Sequence, residues 1–198
     1  TLFRDTTSPS VWITSPAEGA FVGNAQPDVG IFYSDMSCGV DTSTLRFKVN
    51  GQETALSCEY GESGATCRFL APLPEGLNTL RANLADLAGN GATSPERSFT
   101  VDTVPPQISL TAPSDGAFTN NPAQTISGSL SEAGTLQANG QVIPLGPDGD
   151  FSTSLTLQEG LNSITLLASD RAGNTAQLLV GVTLDTAPPQ SANTGLIT

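Results

Sequence analysis

The chain is written twice. Asp5-Thr6-Thr7-Ser8-Pro9 and the following Ser15-Pro16-Ala17-Glu18-Gly19-Ala20-Phe21 return, 97 positions on, as Asp102-Thr103-Val104-Pro105-Pro106 and Ala112-Pro113-Ser114-Asp115-Gly116-Ala117-Phe118. The copies also end alike. Glu75-Gly76-Leu77-Asn78 leads to Asp86-Leu87-Ala88-Gly89-Asn90, and Glu159-Gly160-Leu161-Asn162 leads to Asp170-Arg171-Ala172-Gly173-Asn174. A period near 90 residues is the size of a whole domain, so each copy must close its own hydrophobic core. The reading is two domains, 5–101 and 102–185. Residues 186–198 follow as a linker or the start of a further repeat, because Asp185-Thr186-Ala187-Pro188-Pro189 restarts the pattern.

Charge narrows the partners. The formal net charge is −12, from 19 acids and 7 bases. Both copies are acidic, and the second holds a single base, Arg171. Such a surface repels phosphate backbones and anionic lipid, so no nucleic-acid partner is expected. No run of 18 apolar residues occurs, so no direct membrane insertion is expected either. Cations are what this surface attracts.

Periodicity is that of strands. Short alternating runs rich in Val, Ile, Phe, Leu and Thr recur every 8–12 residues, punctuated by Gly, Pro, Asn and Asp. The first copy predicts strands at 11–15, 29–34, 45–50, 54–58, 66–72, 78–85 and 97–101. The second predicts them at 108–112, 124–128, 135–138, 142–145, 151–157, 162–169 and 177–184. Seven strands per copy predict an all-β fold: two tandem Ig-like, seven-stranded antiparallel β-sandwiches joined by a short Pro-containing linker. Aligned copies predict that Leu80, Ala82 and Leu84, with Ile164, Leu166 and Ala168, point inward. Trp12 points outward, and the equivalent Phe21 and Phe118 are assigned to the core.

All three cysteines, Cys38, Cys58 and Cys67, lie in the first copy. Cys58 and Cys67 flank a turn-rich stretch that brings them within bridging reach, with a bridge to Cys38 as the rival pairing and free thiols as the third alternative. Disulfide chemistry favours an extracellular or cell-surface setting.

The Asp-Thr-x-x-Pro starts, Cys38-Gly39-Val40-Asp41, Glu-Gly-Leu-Asn and Asp-x-Ala-Gly-Asn resemble the bacterial Ig-like (Big-type) repeats of secreted and surface proteins. The resemblance covers both copies. It implies a β-sandwich and leaves function open, because such modules serve adhesins, secreted hydrolases and fibrous appendages.

No catalytic constellation is legible. The chain has no histidine, which removes His-based triads and His-ligated zinc. No nucleophile elbow, phosphate loop or dinucleotide fingerprint occurs, so a non-enzyme is expected.

Calcium is the one cofactor the acids suggest, since it takes six to eight oxygen ligands. In an Ig-like sandwich the loops after the second and sixth strands lie at the pole where the chain enters, here the N-terminal pole. The loops after the first and fifth are assigned to the opposite, C-terminal pole. That map gathers Glu18, Glu75, Asp102, Glu132 and Asp170 at the junction between the copies. It gathers Asp5, Asp35, Asp41 and Asp86 at the N-terminal pole of the first, and Asp115, Glu159 and Asp185 at the C-terminal pole of the second. The competing role for these acids is to cap their own turns.

Three functions follow. The leading one is a non-catalytic spacer or stalk of an extracellular or surface protein such as an adhesin, partnered by neighbouring Ig-like domains of the same chain. The second is an accessory module for a glycan or protein ligand, with Trp12 and Tyr60 as binding residues. The third is a filament subunit whose tails, 1–4 and 190–198, pair with a neighbour's sheet edge.

Overall fold

A computed structural model describes residues 4–189, so most of both tails lies outside the described residues. The chain forms two compact units that divide between Val104 and Pro105, a few residues beyond the expected boundary. Every element among the described residues is a strand.

The first unit contains β1 (Ser10–Ser15), β2 (Ala20–Val22), β3 (Asp28–Ser34), β4 (Val40–Val49), β5 (Gln52–Thr54), β6 (Leu56–Tyr60), β7 (Gly64–Phe69), β8 (Gly76–Asp86), β9 (Gly91–Thr93) and β10 (Arg97–Val101). One sheet runs β1-β3-β7-β6, and the other runs β2-β10-β8-β4-β5 with β9 beside β8. The second unit contains β11 (Ile108–Ala112), β12 (Ala117–Thr119), β13 (Ala123–Leu130), β14 (Gly134–Ala138), β15 (Gln141–Ile143), β16 (Asp150–Thr156), β17 (Gly160–Asp170) and β18 (Thr175–Leu184). Its sheets run β11-β13-β16 and β12-β18-β17-β14-β15. The corresponding strands occupy corresponding places, but ten and eight strands replace the expected seven. The surplus is largely three-residue pieces such as β2, β5 and β9, too short to show alternation in sequence.

Each unit buries its own cluster of side chains. Leu80, Ala82 and Leu84 of β8, and Ile164, Leu166 and Ala168 of β17, are buried as alternation requires. Each large aliphatic buried this way contributes about 1.5–3 kcal/mol. Phe118 corrects the core assignment, being 80% exposed, while Phe21 is half-buried. The reason is topological. After β1 and β11 the chain leaves one sheet and joins the other part-way along its last strand, where β2 pairs parallel to β10 and β12 to β18. The phenylalanine at the centre of each short strand therefore lies on the outer face.

The β4–β5 and β14–β15 hairpins turn on Asn50-Gly51 and Asn139-Gly140. Both residues of each pair have positive φ (50° and 79°, 48° and 81°), the geometry that a tight two-residue turn requires. The Asn side chains add a second function, since Asn50 Oδ1 accepts from the Thr79 N–H and Asn139 Oδ1 from the Thr165 N–H.

β9 and β10 together correspond to β18, so among the described residues the first unit has one element without a counterpart in the second. β6 covers the free edge of β7, with Cys58 directly opposite Cys67, and the two are joined by a disulfide. The second unit has no such strand, and β16 is the edge of its three-stranded sheet.

Candidate functional site

Apart from acids paired with arginine, such as Asp28 with Arg68 and Glu96 with Arg81, three groups stand out: acids that cap turns, acids that clamp strands and a cluster at the N-terminal pole of the first unit. The capping acids come from Asp-x-Ala-Gly-Asn. Asp86 is only 2% exposed; its Oδ1 accepts from the N–H groups of Ala88 and Asn90, and its Oδ2 from the Asn90 side-chain amide at 2.6 Å. Asp170 repeats this arrangement with Ala172 and Asn174. Burial works to raise both carboxyls, but the amide donors outweigh it and hold each below the usual carboxylate value.

The clamping acids come from the Glu-Gly-Leu-Asn turn. Glu75 accepts from both the N–H and the hydroxyl of Thr103, and Glu159 does the same for Thr186. Gly76 and Gly160 sit at φ 93° and 88°, which a side chain would strain, and so turn the chain back beneath each Glu. The buried Asn78 closes the turn by donating to the carbonyls of Pro74 and Gly76, and Asn162 likewise to Gln158 and Gly160.

Glu18 is not at a pole. Its carboxylate accepts from the N–H and hydroxyl of Ser98 at the start of β10, and Asp115 accepts from the Gly181 N–H within β18. The expectation fails because the β1–β2 and β11–β12 connections cross between sheets mid-sandwich rather than looping at an end. Asp41 also leaves its expected cluster. It accepts from the Ser43 N–H and hydroxyl, where β4 shifts register against β8. Asp102 and Asp185 cap their own linkers through the N–H of Val104 and Ala187.

What remains at the N-terminal pole is tight. Potential ligand atoms of Asp5, Asp35 and Cys38 all lie within 4.8 Å of one another. Asp5 Oδ1 accepts from the Thr7 N–H, and Asp35 Oδ1 from those of Ser37 and Gly39. The Cys38 thiol also donates to the Asp5 carboxylate and, with the Thr7 N–H, holds it below the usual carboxylate value, while the buried Asp35 Oδ2 has no donor. Asp86 stands beside them, since the Asn90 amide that holds its Oδ2 also reaches the Asp5 carbonyl at 3.4 Å. The Asp5 carboxylate, then burial, push the Cys38 thiol up. Sequence reasoning passed over Cys38 here, although its loop position three residues after Asp35 was the available signal. In the second unit Glu132 and Asp170, the counterparts of Asp35 and Asp86, also bring carboxylate oxygens within 4.8 Å of each other.

A second feature lies on the outer face of the β1-β3-β7-β6 sheet. Trp12 and Phe32, 47% and 40% exposed, face each other across β1 and β3 with ring centroids 6.3 Å apart. Phe32 escaped the sequence reading because only strand register reveals that it opposes Trp12. Tyr60 is exposed on the edge strand β6, beside a groove that also includes Thr14, Gly30, Glu59 and Thr66.

Comparison with known proteins agrees with this architecture. The family profile "Glucodextranase, domain B" matches residues 106–186, which lie within the second unit. Bacillopeptidase F of Bacillus subtilis (strain 168) is 31% identical over 117 residues, covering 57% of this chain and 8% of that protein. The chain thus spans a small part of its curated relative. Among solved structures, the fibronectin(III)-like modules of Clostridium thermocellum CbhA match 89% of this chain and 94% of theirs, at TM-score 0.53 and 19% identity. The titin I-band fragment I67–I69 matches 91% of this chain and 66% of its own, at TM-score 0.53 and 12% identity. The fold is Ig/fibronectin-like.

Proposed function

We propose that this chain is a non-catalytic spacer segment of an extracellular multidomain protein. The observation that carries the reading is the clamp found in both units. Glu75 grips Thr103 and Glu159 grips Thr186, just past the last strand of each unit, and a capping Asp fixes the residue that follows. Each unit thereby sets the direction in which its chain leaves, which a spacer needs and a freely jointed linker lacks. The prolines of Pro105-Pro106 and Pro188-Pro189 extend that direction. The similarity to a domain of a glucodextranase and to part of Bacillopeptidase F supports an accessory position beside a hydrolase, and the disulfide suits an oxidising compartment. The test is replacement. Exchanging the chain within its parent protein for an unrelated two-domain sandwich of equal span preserves the parent's activity under this reading. Loss of activity in a well-folded exchange would refute it.

A second reading, a glycan-binding accessory module, rests on Trp12 and Phe32. Ser109 and Ser129 occupy the same cross-strand position in the second unit, so the sandwich does not need an aromatic pair there. Exposed aromatic rings suit the apolar faces of neutral sugars. Under this reading, Trp12→Ala abolishes retardation of the chain in native gels containing soluble neutral polysaccharide. No retardation of the wild-type chain in any such gel would dismiss it.

A further inference from the structure

We propose that the outer face of the β12-β18-β17-β14-β15 sheet is a docking surface on which a second copy of the chain packs face to face. The face presents Phe118, Val142, Leu161, Leu167 and Leu179, each between 40% and 80% exposed. Strand register fixes what lies among them. Thr183 stands between Phe118 and Leu161, Thr165 lies opposite Leu179, and Gln137 stands between Leu167 and Val142. The second unit holds seven acids and one base, yet the only charged residue on these five strands is Asp170, which is buried. Asp115 reaches only the β12 side of β18, where the Gly181 N–H holds its carboxylate.

The first unit supplies an internal comparison. Its corresponding sheet bears Lys48 opposite Glu53 and an ion pair between Arg81 and Glu96. Counted from the shared Asn-Gly turns and Glu-Gly-Leu-Asn segments, the equivalent places in the second unit are Gln137 opposite Val142, and Thr165 opposite Leu179. The fold is common to both units, so it does not account for two charge pairs giving way to neutral and apolar side chains. An exposed apolar patch of this extent marks an interaction surface.

The occupant follows from charge and area. Basic partners are drawn to the acids, which lie off this face. Two copies at −12 each repel through any acidic surface, but here nothing charged opposes their approach. A two-fold axis between the sheets sets the same uncharged face against itself, as an isologous dimer requires. With strands about 4.8 Å apart and a rise of about 3.3 Å per residue, five strands by the stretch from Leu161 to Leu167 cover roughly 500 Å² per copy. The roughly 1,000 Å² so buried is at the low end for a specific interface, which makes the dimer reversible, with a dissociation constant on the order of micromolar. The assignment stands whether or not the chain is a spacer.

The test is sedimentation equilibrium of the full chain from about 1 to about 500 µM, at low and high salt. Salt screens the mutual repulsion of the acidic copies, so association should tighten as salt rises. The variants borrow residues from the first unit, whose fold already accepts them: Leu179→Glu, after Glu96, and Leu167→Asn, after Asn83. Thr125→Arg, on the outer face of the other sheet, is the control. The double variant should raise the dissociation constant roughly a hundredfold, because each change counts twice across the axis, while Thr125→Arg should leave it within about twofold. Circular dichroism checks folding, and the single variants carry the measurement if the double misfolds. Three results would overturn the assignment. The wild type could stay monomeric throughout, which would leave the face to a different protein. Alternatively, association could weaken as salt rises or survive the double variant, which would place the contact on a charged surface or another face. Finally, Thr125→Arg could weaken association as much as the double variant does.

Discussion

Cutting the Cys58–Cys67 bridge should destabilise the first unit and leave the second untouched. The bridge closes a loop of about ten residues, given a sequence separation of 9. Chain-entropy bookkeeping, ΔS of about −2.1 − 1.5R ln n cal/mol/K, then gives a loss of about 2.7 kcal/mol at 25 °C. For a domain near 100 residues, that corresponds to roughly a 10–20 °C fall in melting temperature. Position adds to the effect, because β6 covers β7 and its separation would expose a sheet edge to water. The composition supplies the assay. The single tryptophan and both tyrosines, Trp12, Tyr33 and Tyr60, lie in the first unit, so intrinsic fluorescence reports that unit alone. Circular dichroism at the strand band reports both. A Cys58→Ala/Cys67→Ala chain should therefore melt in two steps, with the fluorescence step moved down and the other unchanged. A fluorescence midpoint moved by less than about 2 °C would show that the edge strand is held by its ladder alone. Two steps moving together would refute the independence of the two cores.

Two further outcomes separate core from surface and turn from solvent. Leu166→Ala, at a fully buried position of β17, should cost about 2–5 kcal/mol in the dichroism step without shifting the fluorescence step, whereas Phe118→Ser should stay within about 0.5 kcal/mol of wild type. Acid should unfold both units through Asp86 and Asp170. Their folded carboxyls lie below the unfolded value of about 3.9, so the stability they contribute is complete above that pH and drains away as pH falls through the folded values. Asp170→Asn should flatten the pH dependence of the second unit below pH 4. A dependence as steep as wild type in that variant would place the acid-sensitive group elsewhere.

The architecture was legible because alternation and repetition report the same thing. Strand faces at β8 and β17 follow from residues that recur in both copies at a spacing of two, and every inward assignment there is a buried side chain. Phe21 and Phe118 recur just as faithfully, yet Phe118 is among the most exposed of the large hydrophobic residues. Recurrence records that a position has a role in the fold and does not say on which side of the sheet the role is played. In a three-residue strand paired parallel at an edge, no alternation exists to settle the face.

The acids show the same limit from the other side. All four types of conserved-looking position within this chain, Asp-Thr, Glu-Gly, Asp-x-Ala-Gly-Asn and the loop after the second long strand, carry carboxylates of identical formal charge. Sequence alone offers two roles for each, ligand or cap. Geometry separates them by counting donors. The Glu75 and Glu159 carboxylates are met by threonine, and Asp86 and Asp170 by their own asparagines, so their repetition is explained by backbone capture. Asp5 and Asp35 spend one oxygen on the same duty, and the Asp5 carboxylate is met in addition by the Cys38 thiol. That donor comes from a different loop of the same pole, and it is invisible until the two loops have been placed together.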